Sequence, residues 1–166
     1  MSRRPKRLAG VPYVGYQRYF LTFCTAKRHR AFEKPEIANG CLWQLRRRAA
    51  AYDMALIAYC FMPDHVHLVV YGASERADLR EFIVSFKQVT GFEYRQRHGR
   101  SLWQTGYFER VLRDDEATEA VARYTLENPI RAGLTRGLGE YPFAGSDLYD
   151  LQALTTAWER KRSNSR

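Results

Sequence analysis

Hydrophobic and polar positions change period several times along the chain, and each change marks an element. YQRYFLTFCT, residues 16 to 25, is rich in aromatic and β-branched residues and predicts a strand. The polar AKRHRAFEKP that follows reads as a loop. From Pro35 to about Tyr52, Ile37, Cys41, Leu42 and Leu45 recur at helical spacing, with Arg46, Arg47 and Arg48 on the far side. MALIAYCFM, residues 54 to 62, is a second strand, apolar on both faces. Pro63-Asp64 makes a tight connection, and HVHLVVY, 65 to 71, is a third strand that pairs with the second as a hairpin. Residues 76 to 98 predict a long helix with Leu79, Phe82, Ile83, Phe86 and Val89 inward, and Arg80, Lys87, Arg95 and Arg97 outward. LWQTGYFERVLR, 102 to 113, has strand character from Tyr107 to Leu112. DDEATEAVARYTLENPIRAGL, 114 to 134, is a helix. Asp114 or Asp115 caps it, Glu116 and Glu119 suit its positive end, and Pro129 and Gly133 mark its stop. Beyond about residue 140 the pattern fades, and the closing ERKRSNSR is expected to fray.

The order β-α-β-β-α-β-α, with one hairpin and two crossover helices, predicts a ferredoxin-like α+β sandwich. An antiparallel sheet carries helices on one face, and the helix from Asp114 lies near the other. At 166 residues the chain suits one domain, 1–166, with a basic Gly/Pro-punctuated arm over 1–15 and a C-terminal tail from about 150.

Charge adds a partner to this picture. The net charge of +9 is concentrated: residues 1 to 50 hold 12 Lys/Arg against 2 Asp/Glu, and residues 51 to 166 hold 15 against 16. A positive N-terminal third suits a polyanion, of which nucleic acid is the commonest; a solvated basic face is the plain alternative. Cys24, Cys41 and Cys60 are far apart with no CxxC, which argues against a disulfide framework and a cysteine zinc site and fits a reducing compartment. No leader-like apolar run follows the N-terminus, and MALIAYCFM is about half the length of a membrane span. The expectation is a soluble, cytoplasmic protein.

Candidate chemistry starts at FMPDHVHLVV, residues 61 to 70. Side chains alternate along a strand, so His65 and His67 share a face, their Cβ atoms roughly 6.5–7 Å apart. That separation lets two imidazoles chelate one cation. Val66 and Leu68 then point to the core, and Asp64 is expected to point away from the imidazoles. Alone, the pair reads equally as two partly exposed histidines on an open sheet face. On the helix from Asp114, Ala117, Val121, Tyr124 and Asn128 form one stripe, so a phenol and an amide share a direction. Here too there is a plainer reading, with Tyr124 as a core aromatic and Asn128 as a helix terminator.

Together these segments resemble a known family. FMPDHVHLVV resembles the "MPxHVHLLV" strand of HUH endonucleases, and YTLENPIRAGL resembles the "YIxxNPVRAG" block of REP-associated tyrosine transposases, relatives of single-tyrosine insertion-sequence transposases. YFLTFCTAKRHRAF, LWQTGYFERVL and YPFAGSDLY are similar to further segments of that family, so the likeness spans about residues 13 to 149. It implies cleavage and rejoining of single-stranded DNA carrying a palindromic hairpin, through a 5′-phosphotyrosine intermediate. Tyr124 matches the nucleophile, and His65, His67 and Asn128 match the ligands of a divalent metal, Mg²⁺ or Mn²⁺, with Mn²⁺ the better match to imidazole. Glu127, about 100° round the helix from Asn128, is a substitute ligand. The chain departs from the family pattern at Asp64, where Asn is common, and at Gly145-Ser146-Asp147.

A phenol is a weak nucleophile at neutral pH, with an ordinary pKa near 10, and a cation that polarises the phosphate answers that need. Candidate DNA contacts are Arg3, Arg4, Lys6 and Arg7 in the arm; Arg46, Arg47, Arg48, Arg80, Lys87 and Arg95 on helices; and Trp103 and Tyr107 as stacking platforms. The rival readings are a catalytically silent, transposase-derived nucleic-acid-binding regulator and a metal-dependent nuclease that uses water. A monomer or a homodimer fits the sequence; the short segment after Arg113 favours a site completed within one chain.

Overall fold

The computed structural model describes residues 13–164, apart from the side chains of residues 116, 161, 162 and 164. The expected arm contacts Arg3, Arg4, Lys6 and Arg7 lie outside the described residues. The elements are β1 (Arg18–Cys24), α1 (Pro35–Ala51), β2 (Met54–Met62), β3 (His65–Gly72), α2 (Leu79–His98), β4 (Phe108–Leu112), α3 (Asp115–Arg131), β5 (Ala144–Gly145) and α4 (Leu151–Asn164), with two short 3₁₀ turns after β1. The sheet runs β4-β1-β3-β2-β5, antiparallel throughout. The predicted α+β sandwich is the fold observed, with two additions. β5 extends the sheet beyond β2, and residues 151–164 form α4, where the sequence pattern suggested an unpatterned tail.

Alternation along the strands produces two cores. Tyr19, Leu21 and Phe23 of β1 and Val66, Leu68 and Val70 of β3 face α1 and α2, packing on Leu45, Phe82, Ile83 and Phe86. On the other face Ile57, Ala58 and Val69 meet Ala122 and Leu126 of α3 and Trp158 of α4. Ile57 and Ala58 both reach that second face because the β2 register shifts between Leu56 and Ala58. A bulge there admits one extra residue and turns the strand. β2 is therefore buried on both sides, as its uninterrupted apolar sequence requires.

Local chemistry places α2 and α3. The Asp78 side chain accepts from the backbone N–H groups of Arg80 and Glu81, and Gly99 ends α2 in the left-handed region at φ 66°. Asp114 caps α3 by accepting from Ala117 N–H at 2.6 Å. Only Arg113 lies between the end of β4 and this cap, so the strand and the helix are tightly joined. Pro129 sits in the last turn, and α3 ends two residues later. Among the described residues no helix is long and apolar enough to cross a membrane.

Candidate active site

His65 and His67 project from the α3 face of β3, with ring centroids 4.7 Å apart. Each ring has one nitrogen already engaged. Thr22, directly opposite His67 on β1, places its Oγ1 2.8 Å from His67 Nδ1. Asp64 Oδ1 lies 2.6 Å from His65 Nδ1, and Arg28 Nε holds the same carboxylate at 2.9 Å. Neither ring's Nε2 has a hydrogen-bond partner among the described residues. Outer partners of this kind fix ring orientation and tautomer.

Asp64 thus corrects an expectation. It was to face away from the imidazoles, but it belongs to the β2–β3 turn and not to the strand. The alternation of faces stops at His65, and the turn brings the Asp64 carboxylate round to the ring. Burial opposes ionisation of Asp64, but the His65 hydrogen bond and the Arg28 charge outweigh it and hold the carboxyl below its ordinary range.

His67 is 9% exposed. Burial, followed by the positive surroundings of His65, Arg131 and Arg28, pushes its imidazole down to about 3. At neutral pH the ring is neutral and offers a lone pair. Directly opposite on β2 is Cys60, whose buried thiol is pushed up to about 12 and stays protonated. Among the described residues no group of three or more His, Cys, Asp and Glu is arranged to hold a metal.

α3 brings Tyr124 over the histidines, its ring centroid 6.0 Å from that of His67. The ring is 48% exposed, so it is no core aromatic. Arg131, seven residues on, lies over it, its guanidinium 4.1 Å from the ring centroid, and donates to the Tyr124 carbonyl at 2.5 Å. Asn128 follows Tyr124 by one turn on the same stripe, and its Nδ2 is buried without a partner. A half-turn exchanges amide nitrogen and oxygen, so this site equally presents an unpaired buried acceptor. Glu127 is committed elsewhere, to Arg123 at 2.8 Å and Arg131 at 3.6 Å.

The sequence-predicted cations on α1 and α2 are not brought to this face. They lie on the helical layer across the sheet. Arg46 pairs with Asp147 at 2.9 Å and donates to the Tyr59 hydroxyl. Arg47 stacks on Trp43, Arg48 Nη2 donates to Gln44 at 3.4 Å, and Arg80 lies over Tyr13. Lys87 donates to the carbonyls of Gln104 and Gly106, and burial lowers its ammonium to about 8. Trp103 donates to Thr90 and packs with Phe23, Phe32 and Phe86, while Tyr107 packs on Phe23. Arg95 is exposed and, with Lys87, Phe92 and Trp103, lines an open groove of about 480 Å³.

Sequence reasoning missed Thr22, Arg28 and Arg131. Thr22 becomes visible only once the β1–β3 register is known, and Arg28 only once the turn after β1 is placed beside Asp64. Arg131 carried a local signal, since it falls two turns after Tyr124 on the same stripe.

In sequence and fold the chain is similar to known transposases. A protein of Haemophilus influenzae described as a REP-associated tyrosine transposase is 23% identical over 138 residues, covering 76% of this chain and 77% of its own. The ISDra2 transposase TnpA of Deinococcus radiodurans is 29% identical over 127 residues, covering 72% and 88%. Among solved structures, a REP-associated tyrosine transposase bound to a REP hairpin superposes with a TM-score of 0.66 at 16% identity, covering 87% of this chain and 82% of that one, a likeness of fold. A crystal structure from Deinococcus radiodurans described as a transposase gives 0.51 at 26% identity, covering 74% and 96%. The family whose model matches residues 14–128, described as "Transposase IS200 like", spans well over half the chain, and the chain belongs to that family of transposases.

Proposed function

We propose that this chain cleaves and rejoins single-stranded DNA beside a hairpin, with Tyr124 as the nucleophile. One observation carries the reading: a half-exposed tyrosine on α3 stands 6.0 Å, ring to ring, from a buried, neutral histidine whose Nε2 is free. Family membership and the hairpin named for one solved relative support DNA as the substrate.

His65, His67 and Asn128 would hold a divalent cation, Mg²⁺ or Mn²⁺. The donor set fits: each imidazole is oriented through its Nδ1, and the Asn128 amide has an unpaired buried atom. When bound, the cation would neutralise charge that develops on the phosphate. The Tyr124 oxygen attacks phosphorus and its phenol proton passes to solvent, while the phosphorus–O3′ bond breaks and the 3′-oxygen takes a proton from solvent to leave as a hydroxyl. The product is a 5′-phosphotyrosine, and attack by another 3′-hydroxyl reverses the step without an external energy source. Arg131 steadies the Tyr124 ring from above. The single residue between β4 and the Asp114 cap of α3 suits a site completed within one chain.

The test is a denaturing gel of hairpin-bearing single-stranded DNA incubated with the chain and Mn²⁺. A covalent adduct is expected, absent from Tyr124→Phe and from metal-free reactions. Cleavage that survives Tyr124→Phe would assign the attack to water. Binding with no cleavage would leave a transposase-derived regulator.

A further inference from the structure

The aromatic surface around Tyr124 continues past the histidines to the edge of the sheet. Phe20 of β1 lies 5.4 Å from His67, nearly stacked, and 6.4 Å from Tyr124, edge-on. On its other side is Phe108 of β4, 6.1 Å away and 49% exposed. Arg110, two residues on, sits opposite Phe20 in the β1–β4 register, so it shares this face. It is exposed, and no hydrogen bond or ion pair holds it among the described residues. The next residues, Glu109 and Val111, turn to the other face, where the Glu109 carboxylate accepts from Tyr13. Among the described residues β4 is the edge strand, with nothing in the sheet beyond it.

A lone exposed aromatic needs no explanation. A row of rings that ends at a half-exposed tyrosine, with an unpaired guanidinium alongside, has the chemistry of a nucleotide. Phe108 and Arg110 stand roughly 7 Å apart along the strand, close enough for one nucleotide to place its base on the ring and its phosphate at the cation. We infer that Phe20, Phe108 and Arg110 form a stacking strip that binds unpaired nucleotides of the DNA strand next to the bond Tyr124 cleaves. The strip rests on the proposed cleavage reading and adds to it a path for the flanking strand across β1 and β4. Base stacking tolerates any sequence, so the strip grips without reading bases.

The test uses an oligothymidylate with its thymines replaced by 5-iodouracil, which crosslinks to stacked aromatic rings under near-ultraviolet light. Crosslinks should map to the peptides of Phe108 or Phe20. Phe108→Ala should weaken oligonucleotide binding about five- to hundredfold, with recovery in Phe108→Trp. Arg110→Gln should lower the salt dependence of binding by about one ion. Val84→Ala, an exposed change across the sheet, serves as the control. Crosslinks confined to other peptides, with Phe108→Ala binding as wild type, would overturn the strip. If the wild type still forms the Tyr124 adduct on hairpin DNA, the strip alone has failed. If it forms no adduct and binds no oligonucleotide, the cleavage reading has failed and the strip falls with it.

Discussion

Thr22→Val separates the orientation of His67 from its presence. Thr22 Oγ1 is the hydrogen-bond partner of His67 Nδ1, at 2.8 Å, and the ring is 9% exposed, so water cannot replace the hydroxyl easily. Valine keeps the branched shape and leaves the buried Nδ1 unpaired, which costs about 1–3 kcal/mol. For a domain of this size that corresponds to a melting temperature lower by roughly 2–12 °C. Loss of the outer partner should also raise the Mn²⁺ concentration needed for half-maximal adduct formation by about 10- to 100-fold. Thr22→Ser, which restores the hydroxyl, should recover most of both. The assays are thermal unfolding without metal and adduct yield across a Mn²⁺ titration. A valine variant that melts and titrates like the wild type would refute the claim that Thr22 sets the ring.

Three further outcomes follow from the same geometry. Asp64→Asn retains an acceptor for His65 Nδ1 and should keep most adduct formation, whereas Asp64→Ala should lose about 10- to 100-fold in the same titration. The folded-state pKa of His67, about 3, lies below the ordinary value near 6.5, so between those limits the unfolded chain binds the extra proton. This contribution is complete above pH 6.5 and is lost as the pH falls towards 3, by up to about 1.4 kcal/mol per unit; urea unfolding at pH 7 and pH 5 should show a smaller drop in His67→Gln, and equal drops would sink the idea. Lys87→Met strips the donor from two backbone carbonyls and should lower the melting temperature while leaving the salt slope of DNA binding unchanged. A shallower slope would mean that Lys87 meets phosphate after all.

What the sequence disclosed follows the range over which each signal acts. The hairpin of β2 and β3, the caps of α2 and α3, and the opposite directions of Val66 and His67 are local matters of period and turn chemistry. They could be read without knowing any neighbour. α4 had a faint helical pattern in Leu151, Leu154 and Trp158, but its apolar partner is the second sheet face, which exists only after folding. Asp64 misled because alternation was carried one residue too far, into the turn. Tyr107 and Phe108 show the limit most plainly. Period two puts them on opposite faces, yet nothing local says which face holds the histidines. The basic helix faces were legible as charge, and the sandwich already set those helices across the sheet from the Tyr124 helix. Nothing local disclosed that Arg46, Lys87 and Arg80 are engaged by Asp147, two backbone carbonyls and Tyr13.

The strand β3 also restricts how this protein can change through its lineage. It is paired along both edges, walled by apolar packing on one side and by the imidazoles and the packing of Val69 under α3 on the other. Inserting or deleting one residue within it would invert every side chain beyond that point, sending histidine into the core under α1 and α2 and valine to the face that holds the site. Substitutions at His65 and His67 are open to trial one at a time; changes of length are not. The gap of one residue between the two imidazoles is thus a dimension of the pleated sheet itself, and descendants can replace these side chains far more readily than they can respace them.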